Sequence, residues 1–272
     1  MQTAIFHTVN SGLYFWDGKT GILVDGLHGG ANIGFSDMPP EICKQLDEKS
    51  GFFSHLDGIL FTHFHPDHFD RKKLLSAIQS PTPPLVYGPS LPETTVASHR
   101  IFSDTWLFRV GDVHVLSTKT CHDGERFKNA LHHSLLLRFG QESFFIAGDA
   151  LLQESRADLL INFFNAPITA AFINVYQAFS KECFDFMRKL QPQRIFLYHL
   201  PFERDDTFDY FSLAQRALKR FPTDLPKLEL LEQMQWLDRC VGDWCEAGDV
   251  DNRRVLPPQP KGAESSFTHV SL

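Results

Sequence analysis

Thr62-His63-Phe64-His65-Pro66-Asp67-His68 places three imidazoles and a carboxylate within positions 63–68, directly after the apolar run Gly58-Ile59-Leu60-Phe61. That run reads as a buried strand, and the polar cluster falls where the strand ends. His63 and His65 are two apart, so on an extended segment their side chains leave the same face. Asp67 and His68 are adjacent and, in a turn, point toward a second place nearby. The spacing suits two neighbouring metal positions better than one closed tetrahedral site. A solvated polar loop is the plain alternative, and the rest of the chain bears on the choice.

Four further apolar runs finish in the same manner. Ile22-Leu23-Val24 leads into Asp25, residues 115–118 lead shortly into His122, Phe144-Phe145-Ile146-Ala147-Gly148 leads into Asp149, and residues 195–198 lead into His199. One Asp after a strand is ordinarily a turn residue. Five strand ends carrying metal-compatible side chains imply convergence at one edge of the sheets.

The ordered set His63-x-His65-x-Asp67-His68, His122, Asp149 and His199, with Asp25 ahead of it, resembles the motif set of the metallo-β-lactamase superfamily. The resemblance runs from about Gly12 to about Leu200. It implies an α/β fold of the αββα sandwich type, with metals at one edge of two sheets. Within the superfamily the chain is most similar to the ascorbate-6-phosphate-lactonase-like hydrolases, on its length, its compact spacing and Tyr198-His199-Leu200-Pro201 before a helix. Carried over, the resemblance implies His63, His65 and His122 on a first metal, Asp67, His68 and His199 on a second, and Asp149 between them. Asp67 is then the candidate to orient the nucleophile or accept its proton, and Asp25 a supporting residue behind the ligands. Imidazole and carboxylate ligation suits one or two divalent ions, with Zn²⁺ expected and Mn²⁺ or Fe²⁺ also suited.

His28, in a glycine loop, and His133, at a strand start, are candidate substrate contacts. The bland readings are a solvated loop imidazole and a structural one. His132 and His133 face opposite sides of their strand, so one of the pair is expected to approach the site. Cys121 should point away from the metal that its neighbour His122 serves. His7, His55, His99, His114 and His269 have no ligand-type company and receive no role.

The totals set the bounds. A chain of 272 residues, 43% hydrophobic and 22% charged, has the composition of a globular protein with a sizeable core. Its 26 Phe against five Tyr and four Trp read mainly as sandwich filling, with an apolar substrate pocket as the alternative. A net charge of −7 argues against a nucleic-acid partner and leaves a small-molecule substrate. No signal peptide and no membrane-length apolar run is visible, and five scattered cysteines look like reduced thiols, so a cytoplasmic location is expected. Self-association is left open.

Along the chain, hairpins are predicted across Asp17-Gly18-Lys19-Thr20, Gly111-Asp112 and Gly140-Gln141. Short strands are predicted at 85–88 and 194–198. Helices are predicted over 41–48, 70–79, about 94–100, 174–190 and 208–220, with Asp205-Asp206 at the start of the last. Residues 1–247 read as one domain and 248–272 as a polar, loosely packed tail. The leading function is a metal-dependent hydrolase of a small ester-like substrate, a lactone or phosphoester. A phosphodiesterase or nuclease, an iron-dependent oxidoreductase and a non-catalytic metal-binding protein are the alternatives.

Overall fold

The apolar runs alternate between two buried surfaces rather than between core and water. In the computed structural model, which describes residues 2–29, 34–80, 82–89, 99–101 and 104–237, they become strands packed on both faces. The first half supplies β1 (Ala4–His7), β2 (Leu13–Trp16), β3 (Gly21–Val24), α1 (Pro40–Glu48), β4 (Leu56–Leu60), α2 (Arg71–Ala77), β5 (Leu85–Gly88) and β6 (His99–Ile101). Then come β7 (Thr105–Val110), β8 (Val113–Thr120), β9 (His132–Phe139), β10 (Glu142–Ile146), α3 (Glu154–Phe164) and β11 (Ala170–Ile173). The chain continues through α4 (Lys181–Leu190), β12 (Ile195–Leu197), α5 (Tyr210–Arg220), β13 (Leu228–Leu230) and β14 (Gln235–Trp236). Among the described residues they form two seven-stranded sheets, ordered β14-β1-β2-β3-β4-β5-β6 and β13-β12-β11-β10-β9-β8-β7.

Side-chain parity sorts the apolar residues into layers. Phe15, Ile22, Val24 and Leu60 of the first sheet meet Val115, Leu135, Leu137, Phe144, Ile146, Phe172 and Phe196 of the second. The Phe15 ring lies 5.4 Å from Phe144 and 5.9 Å from Phe172, which lies 5.4 Å from Phe196. Phenylalanine is thus the filling between the sheets. On the outer face of the first sheet, Leu23, Ile59 and Val86 pack with Ile42 and Leu46 of α1 and Leu74 and Ala77 of α2. On the outer face of the second, Leu136, Phe145, Ile173 and Leu197 pack with side chains of α3, α4 and α5. The architecture is an αββα sandwich.

Strand direction places the site. β3 and β4 run parallel, as do β10, β11 and β12, while β8, β9 and β10 alternate in direction. The ends of β8, β10, β11 and β12 and the start of β9 therefore share one edge of their sheet. Those strands lead into His122, Asp149, Asn174 and His199, and β9 opens on His132.

Several elements differ from the sequence expectation. Residues 174–179 are not the first turns of a helix: α4 begins at Lys181, where the Ser180 Oγ accepts from the Cys183 N–H. The predicted helix at 94–100 ends in a strand, since His99–Ile101 pairs with β5; residues 90–98 lie outside the described residues. Helix α3 and strands β1, β11, β13 and β14 were not expected. Asp206 does cap α5, its carboxylate accepting from the Tyr210 and Phe211 N–H groups at 2.9 Å each, whereas Asp205 accepts from the Ser36 hydroxyl. The polar tail 248–272, Cys240, Cys245 and His269 lie outside the described residues. No helix among the described residues is long and apolar enough to cross a membrane.

Candidate metal centre

The edge shared by the strand ends gathers all seven expected ligand residues into two groups. His63, His65, His122 and Asp149 form one, Asp67, His68, Asp149 and His199 the other, and within each the ligand atoms lie within 4.8 Å of one another. His65 Nδ1 is 3.1 Å from both His63 Nε2 and His122 Nε2. The Asp149 Oδ2 stands 3.7 Å from His63 Nε2, 3.6 Å from His122 Nε2 and 3.4 Å from His68 Nε2, so one oxygen faces both groups. The Asp67 Oδ2 is 3.2 Å from His199 Nε2 and 3.7 Å from His68 Nε2.

Left-handed backbone at the strand ends turns these side chains inward. Asp25 follows β3 with φ +49°, and His199 follows β12 with φ +64°. Asp and His are among the few side chains that tolerate this region. Gly148, with φ +59°, is the third case, and it admits no side chain. A Cβ there would lie 2.7 Å from His132 Nε2 and 3.0 Å from Thr62, so the turn that delivers Asp149 needs glycine.

The hydrogen bonds behind the ligands fix which nitrogen of each ring is bare. Thr62 Oγ1 donates to Asp25 Oδ2 at 2.6 Å, so it accepts from His63 Nδ1 at 3.0 Å. His68 Nδ1 donates to the same Asp25 oxygen at 3.0 Å, and His122 Nδ1 donates to the Asp123 carbonyl at 2.6 Å. With Nδ1 protonated on all three, each Nε2 presents a lone pair to the cluster. His65 Nδ1 can donate to only one of its two partners at a time. At least one Nε2 lone pair is therefore left 3.1 Å from a nitrogen with no hydrogen between them, an arrangement that a cation would relieve. A tetrahedral ion with bonds of about 2.0–2.1 Å has ligand–ligand edges of about 3.3–3.4 Å, close to the spacings found.

Charge points the same way. Asp25 is fully buried against one nitrogen of His68, and Asp67 and Asp149 face the other. Burial opposes a charge on His68, yet Asp149, Asp25 and Asp67 outweigh it and hold this imidazole well above the usual histidine range, so positive charge is favoured at its Nε2, where a metal ion would take the place of a proton. Burial, with His68 and His132 beside it, holds His63 well below that range. Burial would raise Asp149, but His199, His68 and His63 keep its carboxyl well below the ordinary value. The Nε2 atoms of His68 and His199 are buried with no hydrogen-bond partner. Crowded carboxylates, bare imidazole nitrogens and unpartnered buried atoms fit divalent cations.

Two residues missed by sequence reasoning hold the shared carboxylate. Asn174, at the end of β11, donates from Nδ2 to Asp149 Oδ1 at 2.9 Å, while its own Oδ1 accepts from the Tyr176 and Gln177 N–H groups. Gln177 donates to the carbonyls of Gly148 and Ala150, gripping the chain on both sides of Asp149. The signal was a sixth apolar strand ending in a polar side chain, hidden because 174–190 read as one helix.

The two candidate substrate contacts are placed otherwise. His133 faces away from the cluster and meets the Ser117 hydroxyl at 2.9 Å; burial foremost lowers its pKa to about 4. Its neighbour His132 is the one at the site, its ring 4.9 Å from His63 and its Nε2 accepting from the Asp149 N–H. Register with Asp149 decides the parity, and the sequence carries no register. His28 is neither solvated nor open to a substrate: it is fully buried between Asn10 and the Val9 carbonyl, and its pKa is lowered to about 4, mainly by burial. Cys121 is exposed, in line with its pointing away from the cluster.

No protein-family model matches the sequence, and no curated protein matches it. Solved structures do match in fold. YhfI from Bacillus subtilis, a metallo-β-lactamase fold protein, superposes with a TM-score of 0.58 at 15% identity, covering 86% of this chain and 97% of that one. The isothiocyanate hydrolase from Delia radicum gut bacteria gives 0.59 at 13% identity, covering 87% and 98%. CmlA, a diiron β-hydroxylase from Streptomyces venezuelae, gives 0.61 at 14% identity; 87% of this chain matches 54% of that one, so the chain spans about half of CmlA. The chain has the metallo-β-lactamase fold.

Proposed function

We propose that the protein is a metal-dependent hydrolase of a small ester-like substrate, a lactone or phosphoester. His63, His65, His122 and Asp149 would hold one divalent ion, and Asp67, His68, His199 and the shared Asp149 the other. The observation that carries this reading is the convergence of bare nitrogens and carboxylate oxygens on two adjacent points. Ions bound there would supply a lowered water pKa and polarisation of a substrate oxygen. Asp25 and Thr62 keep Nδ1 of His63 and His68 protonated and the rings aimed. Asn174 holds the Asp149 carboxylate, and Gln177 holds the backbone on either side of it. Asp67 orients the attacking water and accepts its proton, being the carboxylate at one side of the second group.

Zn²⁺ is the expected ion, with Mn²⁺ or Fe²⁺ also suited to the donor set. Kinship to the ascorbate-6-phosphate-lactonase-like hydrolases is part of the proposal and is supported by Tyr198-His199-Leu200-Pro201 ahead of α5. A cytoplasmic location is supported by the free thiols of Cys43, Cys121 and Cys183. A second reading, an iron-dependent oxidoreductase, is favoured by the likeness to diiron CmlA.

Metal analysis of the purified protein, with assays on lactones, phosphodiesters and thioesters, separates the two. Zinc or manganese with ester cleavage is the expected result; stoichiometric iron without cleavage of any ester would select the oxidoreductase. His65→Ala should lose the first ion and lower hydrolysis by at least about a hundredfold while the protein stays folded. Full activity after metal removal and re-addition would refute the ligand assignment.

A further inference from the structure

We infer that the site takes a substrate with an apolar aryl or alkyl arm, an ester or lactone rather than a sugar phosphate; this rests on the hydrolase reading above. Tyr176 and Phe208 are 55% and 57% exposed, the most exposed large apolar side chains among the described residues. Both lie against Tyr210, at ring distances of 6.2 and 5.9 Å. Tyr210 stacks on Phe35 at 5.1 Å, and the Phe35 ring lies 4.8 Å from that of His199. An unbroken run of rings thus leads from the second group of ligands to the surface. At the first group, the Phe127 ring lies 4.7 Å from His65 and 5.0 Å from His122, and Leu151, two residues after Asp149, is 37% exposed.

This wall is built into the site. The Tyr176 N–H donates to Asn174 Oδ1, the same side chain whose Nδ2 holds Asp149, so the backbone that carries the exposed ring is set by the network that sets the carboxylate. A surface ring fixed in advance loses little freedom when a ligand covers it. Arg126 and Arg204, the arginines next in sequence to the wall, lie over the rings of Phe127 and Phe202 at 4.4 and 5.2 Å. Charged side chains, Lys73 and Arg204 among them, line the cavity beside Phe208, and the ring faces of Phe35 and Phe208 belong to its apolar side for the substrate's arm.

Isothermal titration of the zinc-loaded full chain with acetate and with 4-phenylbutyrate tests the wall apart from catalysis. Phenylbutyrate should bind about tenfold tighter or better, as burial of a phenyl ring implies. The Tyr176→Ala/Phe208→Ala double variant, verified as folded and equally metal-loaded, should bring the ratio to within about threefold. Equal affinities, no binding of either probe, or a ratio unchanged in the variant would overturn the inference. In parallel, ring opening of γ-phenyl-γ-butyrolactone should exceed that of γ-butyrolactone in kcat/KM. If neither lactone opens while the binding ratio holds, the hydrolase reading fails and the apolar wall stands. If both open with equal kcat/KM, the wall is wrong and the hydrolase reading survives.

Discussion

The two sheets contribute to the candidate centre in opposite ways. The first sheet gives four of the seven gathered residues from the single segment after β4, with Asp25 from the neighbouring strand end fastening it. The second gives His122, Asp149 and His199 one at a time from β8, β10 and β12, separated by 27 and 50 residues. A local turn positions the first set, as the His68 and Phe69 N–H groups returning to the His65 carbonyl indicate. The second set exists only where three strands are already aligned. The first half carries most of the donor atoms, and the second half decides whether they meet.

Substitutions can break that asymmetry, and the largest effect is expected at Asp149. Its Oδ2 faces both groups, so Asp149→Ala should remove both ions and lower activity by at least about a thousandfold, beyond any single histidine. Metal content of the purified variant is the check; retention of one full equivalent would mean the groups are independent. Asp25→Asn comes next. The carboxylate accepts from the Thr62 N–H on Oδ1 and from the Thr62 hydroxyl and His68 Nδ1 on Oδ2, whereas an amide must turn its NH2 toward one of these two sets of donors, so metal affinity should fall about 10- to 100-fold with the fold intact. Competition with a chelator measures it, and an unchanged affinity would reduce Asp25 to a turn residue. Gln177→Ala should be mildest, leaving the Gly148 and Ala150 carbonyls unpaired at a cost of about 1–3 kcal/mol in denaturant unfolding. A loss of metal as large as that of Asp25→Asn would rank the second sheet's support equal to the first's.

The candidate ligands were legible in the sequence because they follow short continuous apolar runs, the mark of strands buried on both faces. The residues holding Asp149 were hidden for a different reason. Asn174-Val175-Tyr176-Gln177 precedes a true helix without interruption, and only the contact of Asn174 with a residue 25 positions earlier shows that its side chain is not helical in purpose. Helix α3 went unread since just Ala157 and Leu160 along it are buried, too sparse for a helical stripe. The choice between His132 and His133 is one of parity, which pairing across strands fixes and local sequence does not.

Asp149 is not the one tie between the two groups. Asp25 Oδ2 receives both the Thr62 hydroxyl, and through it His63, and the His68 ring. A ligand of each proposed ion thus leans on the same oxygen, so charge arriving at one imidazole is felt at the other. Occupancy of the two proposed positions should therefore be linked, and titration with metal should read as one coupled curve instead of two separate ones.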